Sequence, residues 1–401
     1  MALIRSRVES ANTADCPFPL NNLPYGVFST AGDQLRCGAA IGDMILDLAE
    51  AEARGLVDAG GSFARPQLND FIALGRDAWT RVRARLTDVL AHGASDDVPL
   101  VAMAEAKLHL PIRVTEFTDF YASKNHAFNV GVLFRGSENA LPPQWTHMPI
   151  GYNGRASSVV VSGTDITRPM GQVRGESGPE WTACRRLDLE LELGAIVGAD
   201  THMGSRVSVA QAEQMIFGYV LLNDWSARDI QAWEYQPLGP FQAKALGTTI
   251  SPWIVTVAAL EPFRCEGVKR DNPLLPYLRE ERPGFFDLAV GWTMNGQVMA
   301  QTNYNAMYWS SAQQLAHHTE SGCPMRVGDL LGTGTISGPS REQTGALLEM
   351  TENGKNPVTV NGEVRTFIED GDEIGLFATA SGEGYTIGFG PCTGTILPAK
   401  E

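Results

Sequence analysis

The sequence predicts a mainly β (α+β) chain: a small N-terminal β unit with a helix, then a larger C-terminal β domain of sandwich or roll type. Three observations predict it. Short apolar runs closed by Gly, Asp, Asn or Ser recur along the chain, as strands separated by turns would. Glycine is abundant, at 42 of 401 residues, and the chain beyond about residue 115 is rich in it. Helical periodicity is confined to a few stretches.

In the N-terminal part, Tyr25-Gly26-Val27-Phe28, Cys37 to Gly42 and Asp43 to Leu48 read as short strands broken by turns. A helix follows, because Trp79, Val82, Leu86, Val89 and Leu90 fall on one face, and Gly93 can end it. Little periodicity remains up to residue 113, which places a boundary between units 1–115 and 116–401. In the second unit, Ser157 to Gly163 reads as a buried strand ending in a turn. Residues 209–217 read as a helix opened by a capping box of Ser208 and Gln211 and closed by Gly218. The apolar strand Tyr219 to Leu222 delivers Asn223 and Asp224 at its end. Tyr304 to His318 has helical spacing, with Tyr308, Ser311, Leu315 and His318 on one stripe. The last hundred residues alternate short strands with turns such as Glu369-Asp370-Gly371-Asp372.

The formal net charge is −15, which argues against nucleic acid and anionic membrane as partners. No run approaches the ~18 apolar residues of a membrane span, and the N-terminus lacks the apolar core of a signal peptide. The six cysteines are scattered without a Cys-x-x-Cys pair. They read as reduced thiols of a cytoplasmic protein rather than a zinc site or a disulfide framework.

The sharpest chemical signal is Leu187-Asp188-Leu189-Glu190-Leu191-Glu192-Leu193. Alternation along a strand puts Glu190 and Glu192 on one face and the leucines on the other. Two adjacent carboxylates repel unless a cation lies between them. Asp119 and Asp224 could complete an all-oxygen site for calcium, magnesium or manganese rather than zinc. A solvated strand face is the competing reading.

Other segments add functional groups. Glu116 to His126 holds Asp119, Tyr121 and His126 within a few residues, a carboxylate ligand, a phenol and a candidate general base in one turn-rich stretch; an exposed or hydrogen-bonded histidine is the competing reading of His126 taken alone. Arg228, Gln231 and Tyr235 recur at i, i+3 and i+7, on one face of a helix that could bind a carboxylate or a developing oxyanion. An ordinary solvated stripe is the alternative. Lys244 sits in an apolar run and needs a partner, such as Asp224 or a substrate anion; a lysine snorkelling to the surface is the competing reading. The glycine-rich Gly332 to Gly338 lacks the Gly-Lys-Ser/Thr ending of a phosphate-binding loop. It reads instead as a turn whose backbone N–H groups could serve a carboxylate. His317 and His318 are adjacent and read as structural.

These segments together resemble the fumarylacetoacetase family. The resemblance is carried by Asp119-Phe120-Tyr121 through His126, by Gly151 to Ser158, by Leu187 to Glu192 and by Asn223 to Gln231. Gly328-Asp329-Leu330-Leu331 and Gly334 to Gly338 extend it, so that it runs from about residue 15 to the C-terminus. It implies a small Src-homology-3-like barrel before a large β-rich domain of the fumarylacetoacetase type that forms a homodimer. It implies hydrolysis of 4-fumarylacetoacetate, a diketo acid, to fumarate and acetoacetate, the last step of tyrosine and phenylalanine breakdown.

By resemblance, Asp119, Glu190, Glu192 and Asp224 hold a divalent cation, calcium or magnesium, and Lys244 and Thr248 match positions of a magnesium site. An ammonium is a poor ligand, so Lys244 reads as a partner for an anion or oxyanion. His126 matches the base that activates water, and Glu349 the acid that orients it. Arg228, Gln231 and Lys244 match the oxyanion-stabilising group. Tyr121, Arg135, Tyr152, Gln231, Tyr235 and Thr335 match substrate contacts. The leaving group would be an enolate stabilised by the cation. An acylpyruvate hydrolase, decarboxylase or hydratase of the same superfamily, sharing Glu190, Glu192 and Asp224, is the nearest alternative. A metal-stabilised binding protein without turnover is a second.

Overall fold

A computed structural model describes residues 2–32, 34–95 and 97–400. Its backbone is built on one large mixed sheet and a second sheet of six strands, with several two-stranded sheets and helices of up to 15 residues. The large sheet runs in the order Leu100–Ala102, Met44–Asp47, Arg36–Ile41, Tyr25–Ser29, Trp253–Thr256, Ile216–Asp224, Leu191–Val197, Leu330–Gly332, Phe117–Phe120 and Gly151–Asn153. The N-terminal strands therefore join the C-terminal ones through Tyr25–Ser29, whose Tyr25 and Gly26 lie opposite Ile254 and Trp253.

The two central strands, Leu191–Val197 and Ile216–Asp224, are buried at every position. Val220 and Leu222 pack into the core that holds Tyr25, Phe71 and Leu86. Tyr219 and Leu221 pack with Leu191 and Leu193 into a second core. A strand covered on both faces reads as a continuous apolar run, which is why Tyr219 to Leu222 has no polar alternation.

Several boundaries differ from the sequence expectation. The run from Leu187 to Leu193 is not one strand: Leu187–Asp188 pairs with Ser226–Ala227, and the long strand begins only at Leu191. The capping box of Ser208 and Gln211 is present, but the helix is Val209–Met215 and the chain enters the next strand at Ile216. Gly218 lies inside that strand, where a Cβ would meet the Val255 carbonyl at 2.5 Å; it permits close strand packing rather than ending a helix. In the 304–318 stretch, Tyr304–Ala306 is a short 3-10 turn, and the helix is Ser311–Thr319, capped by Ser310. Tyr308 is therefore outside it. Residues 116–126 are more regular than expected: strand Phe117–Phe120 leads to helix Lys124–Arg135, whose N-terminus is capped by the Ser123 hydroxyl. Of Ser157 to Gly163, only Val159–Val161 is a strand, and two of its three residues are only half-buried. The helix around Trp79 is Arg76–Leu90, with Val82, Leu86, Val89 and Leu90 buried. Among the described residues no helix is long and apolar enough to cross a membrane.

Candidate active site and metal centre

Neighbouring strands bring the acids together. Asp119 lies opposite Gly332 in parallel register and opposite Tyr152 in antiparallel register. Glu192 pairs with Leu222, and Asp224 with Thr248. Each of Asp119, Glu190, Glu192 and Asp224 is buried and offers an oxygen, with these atoms all within 4.8 Å of one another. No side chain intrudes between Asp119 and Glu192, because the residue there is Gly332. A Cβ at Gly332 would lie 2.4 Å from Asp119 Oδ1 and 2.9 Å from Glu192 Oε2.

Two cations border the cluster. Lys244 Nζ donates to Glu190 Oε2 at 2.5 Å and to Asp224 Oδ2 at 2.7 Å. Arg228 Nη1 lies 2.8 Å from Glu190 Oε1. Asp224 also accepts from Tyr152 Oη at 2.8 Å and Thr248 Oγ1 at 3.2 Å. The glycine-rich turn contributes the Gly334 N–H, which donates to Glu192 Oε2 at 2.8 Å. The carboxylate this turn serves is thus the protein's own.

Charge in the cluster is unbalanced. Burial, together with Asp224 and Glu190 nearby, pushes the Asp119 carboxyl well above its usual range. Burial and the same kind of crowding raise Glu192 likewise. Burial also raises Asp224, against the pull of Lys244. Glu190 goes the other way: burial opposes its charge, but Lys244 and Arg228 outweigh it and hold the carboxyl low. Asp119 Oδ1 and Glu192 Oε1 are buried with no hydrogen-bond partner. Buried polar atoms are normally satisfied. Two orphaned carboxylate oxygens, one on each of two acids of a buried four-carboxylate cluster, fit a bound hard cation with oxygen ligands.

A second constellation adjoins the first. His126, buried in the first turn of Lys124–Arg135, has Nδ1 2.6 Å from Glu349 Oε2. Glu349 also accepts from Asn129 Nδ2 at 2.9 Å and Ser337 Oγ at 2.8 Å. Burial opposes the Glu349 charge, but His126 and these donors hold its carboxyl below the usual range. An ionised carboxylate only accepts, so His126 presents an Nδ1–H to Glu349, and in a neutral imidazole that arrangement makes Nε2 the acceptor. Tyr121 stands edge-on to the imidazole, with ring centroids 5.4 Å apart. Burial raises its phenol, and the charges of Glu349 and Glu190 both act on it, so it borders the two constellations. Thr335 is buried with an unpartnered Oγ1.

On the helix Arg228–Glu234, Arg228 Nη1 donates to Gln231 Oε1 at 3.2 Å. Tyr235 follows that helix and is 43% exposed. Arg135 is exposed as well, and donates to the carbonyls of Asn139 and Ala140. Both therefore lie outside the buried cluster. His317 and His318 bond to Tyr277 and Thr118, a structural placement. Sequence reasoning missed Asn129 and Ser337, whose only signal is contact with a residue distant in the chain, and Gly332, which matters for lacking a side chain.

The chain matches two family models, "Fumarylacetoacetase N-terminal" over residues 21–111 and "Fumarylacetoacetate (FAA) hydrolase C-terminal" over residues 115–397. It is 46% identical to fumarylacetoacetase of Arabidopsis thaliana, across the whole of both chains. It is 47% identical to fumarylacetoacetase of Homo sapiens, across 96% of this chain and 97% of that one. The chain belongs to the fumarylacetoacetase family. Among solved structures, fumarylacetoacetate hydrolase from Exiguobacterium antarcticum superposes with a TM-score of 0.57 at 18% identity, covering 94% of this chain and all of that one. At that identity the likeness speaks for the fold. As a fumarylacetoacetase-family member the chain is an enzyme.

Proposed function

We infer that the chain hydrolyses the carbon–carbon bond of 4-fumarylacetoacetate to give fumarate and acetoacetate, the closing step of tyrosine and phenylalanine breakdown. The observation that carries this reading is one buried region that joins an oriented His126–Glu349 pair to four carboxylates with two unpartnered oxygens. The match to the fumarylacetoacetase N-terminal model favours this substrate over the acylpyruvates. It also supports division into units 1–115 and 116–401.

Hydrolysing a carbon–carbon bond needs a leaving carbanion of low basicity, and a 1,3-diketone supplies one as an enolate. A divalent cation held by Asp119, Glu190, Glu192 and Asp224 would supply Lewis-acid polarisation of the diketone oxygens and charge for the enolate. Calcium or magnesium suits these all-oxygen donors. Lys244 and Thr248 act on the site by holding Asp224 through hydrogen bonds.

His126 Nε2 takes a proton from water, while Glu349 accepts the Nδ1 proton's hydrogen bond and stabilises the imidazolium. The hydroxide attacks the ketone carbon beside the fumaryl group. The resulting oxyanion lies against Gln231, Lys244 and the positive field of Arg228; each donor of this kind is worth ~10²–10³ in turnover. Collapse breaks the bond to the acetoacetyl carbon, whose electron pair becomes the enolate. The fumaryl side leaves as a carboxylic acid, and the proton on His126 returns to the enolate carbon. Tyr121, Tyr152 and Thr335 line the substrate's path, with Arg135 and Tyr235 at its exposed edge. We assign the chain to the cytoplasm as a homodimer; its six cysteines are free thiols, which suits a reducing compartment. The test compares loss of diketone absorbance with fumarylacetoacetate and with an acylpyruvate. Preference for the acylpyruvate overturns the substrate assignment.

A further inference from the structure

Asp188 is fully buried, yet the chemistry above gives it no role. Its Oδ2 accepts from Arg228 Nε at 2.8 Å and lies 2.7 Å from Arg228 Nη2. Its Oδ1 accepts the backbone N–H groups of Leu189 at 2.9 Å and Leu347 at 2.8 Å. The Leu348 N–H reaches Oδ2 at 3.2 Å. All five neighbours are donors, so the position calls for a group that only accepts.

The two segments it joins both carry the reaction. Leu347–Met350 is the short helix that bears Glu349, and Leu347 and Leu348 are its first two residues. Arg228 in turn donates to Gln231 Oε1, which leaves the Gln231 Nε2–H₂ group as the outward donor. One side chain therefore connects the helix of the residue that orients the base, 159 positions away at Leu347, with the residue that orients an oxyanion donor.

We propose that Asp188 is a positioning residue for the hydrolysis, fixing Arg228 with Gln231 and the Glu349 helix in one relative placement. The proposal rests on the roles given to His126, Glu349 and Gln231. Misplacing reacting groups by about 1 Å can cost ~10² in rate. D188N keeps the shape but turns an amide toward the donors. It should lower kcat about 10²-fold per folded, metal-loaded site, with KM changed less than about threefold. Calcium affinity, read by calorimetry, should stay close to wild type. D188E, read alongside per folded site, retains the negative charge the donors need and displaces the carboxylate; it should still lose kcat.

The decisive readout is a double-mutant cycle with Q231A. If Asp188 acts through Gln231, D188N costs less in the Q231A background than in wild type. A purely structural role predicts full additivity. Wild-type kcat in folded D188N or D188E, or additive effects in the cycle, overturns the proposal. H126A separates the two levels: inactive H126A with fully active D188N removes Asp188 alone, whereas active H126A removes the site reading itself.

Discussion

Gly332→Ala puts one methyl group between two candidate metal ligands. Built on the present backbone, its Cβ lies 2.4 Å from Asp119 Oδ1 and 2.9 Å from Glu192 Oε2. Relief to an ordinary carbon–oxygen separation of about 3.3 Å moves these oxygens by roughly 0.9 Å and 0.4 Å. Metal–oxygen distances tolerate only about 0.2 Å. Two of four carboxylates are thus pushed off position, while Glu190 and Asp224 stay held by Lys244. Indirect disturbance of ligands typically costs 10–100-fold in metal affinity, or ~1.4–2.7 kcal/mol. Magnesium, which demands near-ideal octahedral geometry, should lose more than calcium, which tolerates irregular coordination. Overpacking should cost the metal-free protein a further ~1–3 kcal/mol of stability. The assay is calorimetric titration of calcium and of magnesium into chelator-stripped G332A and wild type, with heat scans of both apo proteins. Wild-type affinity for both ions in G332A would refute the placement of a cation between Asp119 and Glu192.

Other predictions follow from the same geometry. H126A should lower turnover by ~10²–10⁴ with calcium affinity unchanged; E349Q should do the same more mildly, and wild-type rates in both would remove the pair from the mechanism. Asp119 and Glu192 have carboxyls raised by burial and crowding, so in the metal-free protein they keep their protons to higher pH than ordinary carboxylates, and a divalent ion competes with those protons. Metal affinity should therefore strengthen as pH rises above the ordinary carboxylate range, with protons released on binding. Titration in buffers of different ionisation enthalpy reads that release, and an affinity independent of pH contradicts it. K244M removes the cation that bridges Glu190 and Asp224. In chelator it should destabilise the protein by ~3–5 kcal/mol, and an unchanged melting temperature there would show that the pair is not held as described.

How much of this was legible in sequence depends on distance along the chain. Glu190 and Glu192 do enter one cluster, although Glu190 lies just before the strand Leu191–Val197 and not within it; the capping box of Ser208 and Gln211 is set by nearby residues. Lys244 announced itself as a charge in an apolar run, and its partners are indeed acids, Glu190 as well as Asp224. Boundaries failed where tertiary packing overrode a local signal: Gly218 looked like a helix stop but serves the approach of Trp253–Thr256. The supports of Glu349 were invisible because Asn129 lies 220 positions from it. Asp188 was hidden in plain view: its neighbours Glu190 and Glu192 carried the pattern, while its own donors come from Arg228 and the Leu347–Met350 segment. Gly332 could be valued only once the space its missing side chain leaves was seen between two carboxylates.

The most direct test of the central claim follows the diketone absorbance of fumarylacetoacetate with wild-type protein, with protein stripped by chelator, and with stripped protein restored by calcium or magnesium. Rapid loss of absorbance with fumarate and acetoacetate as products, abolished by stripping and returned by the ion, is the predicted result. Undiminished hydrolysis by the stripped protein would contradict a catalytic metal at Asp119, Glu190, Glu192 and Asp224, and no hydrolysis under any condition would contradict the assigned reaction.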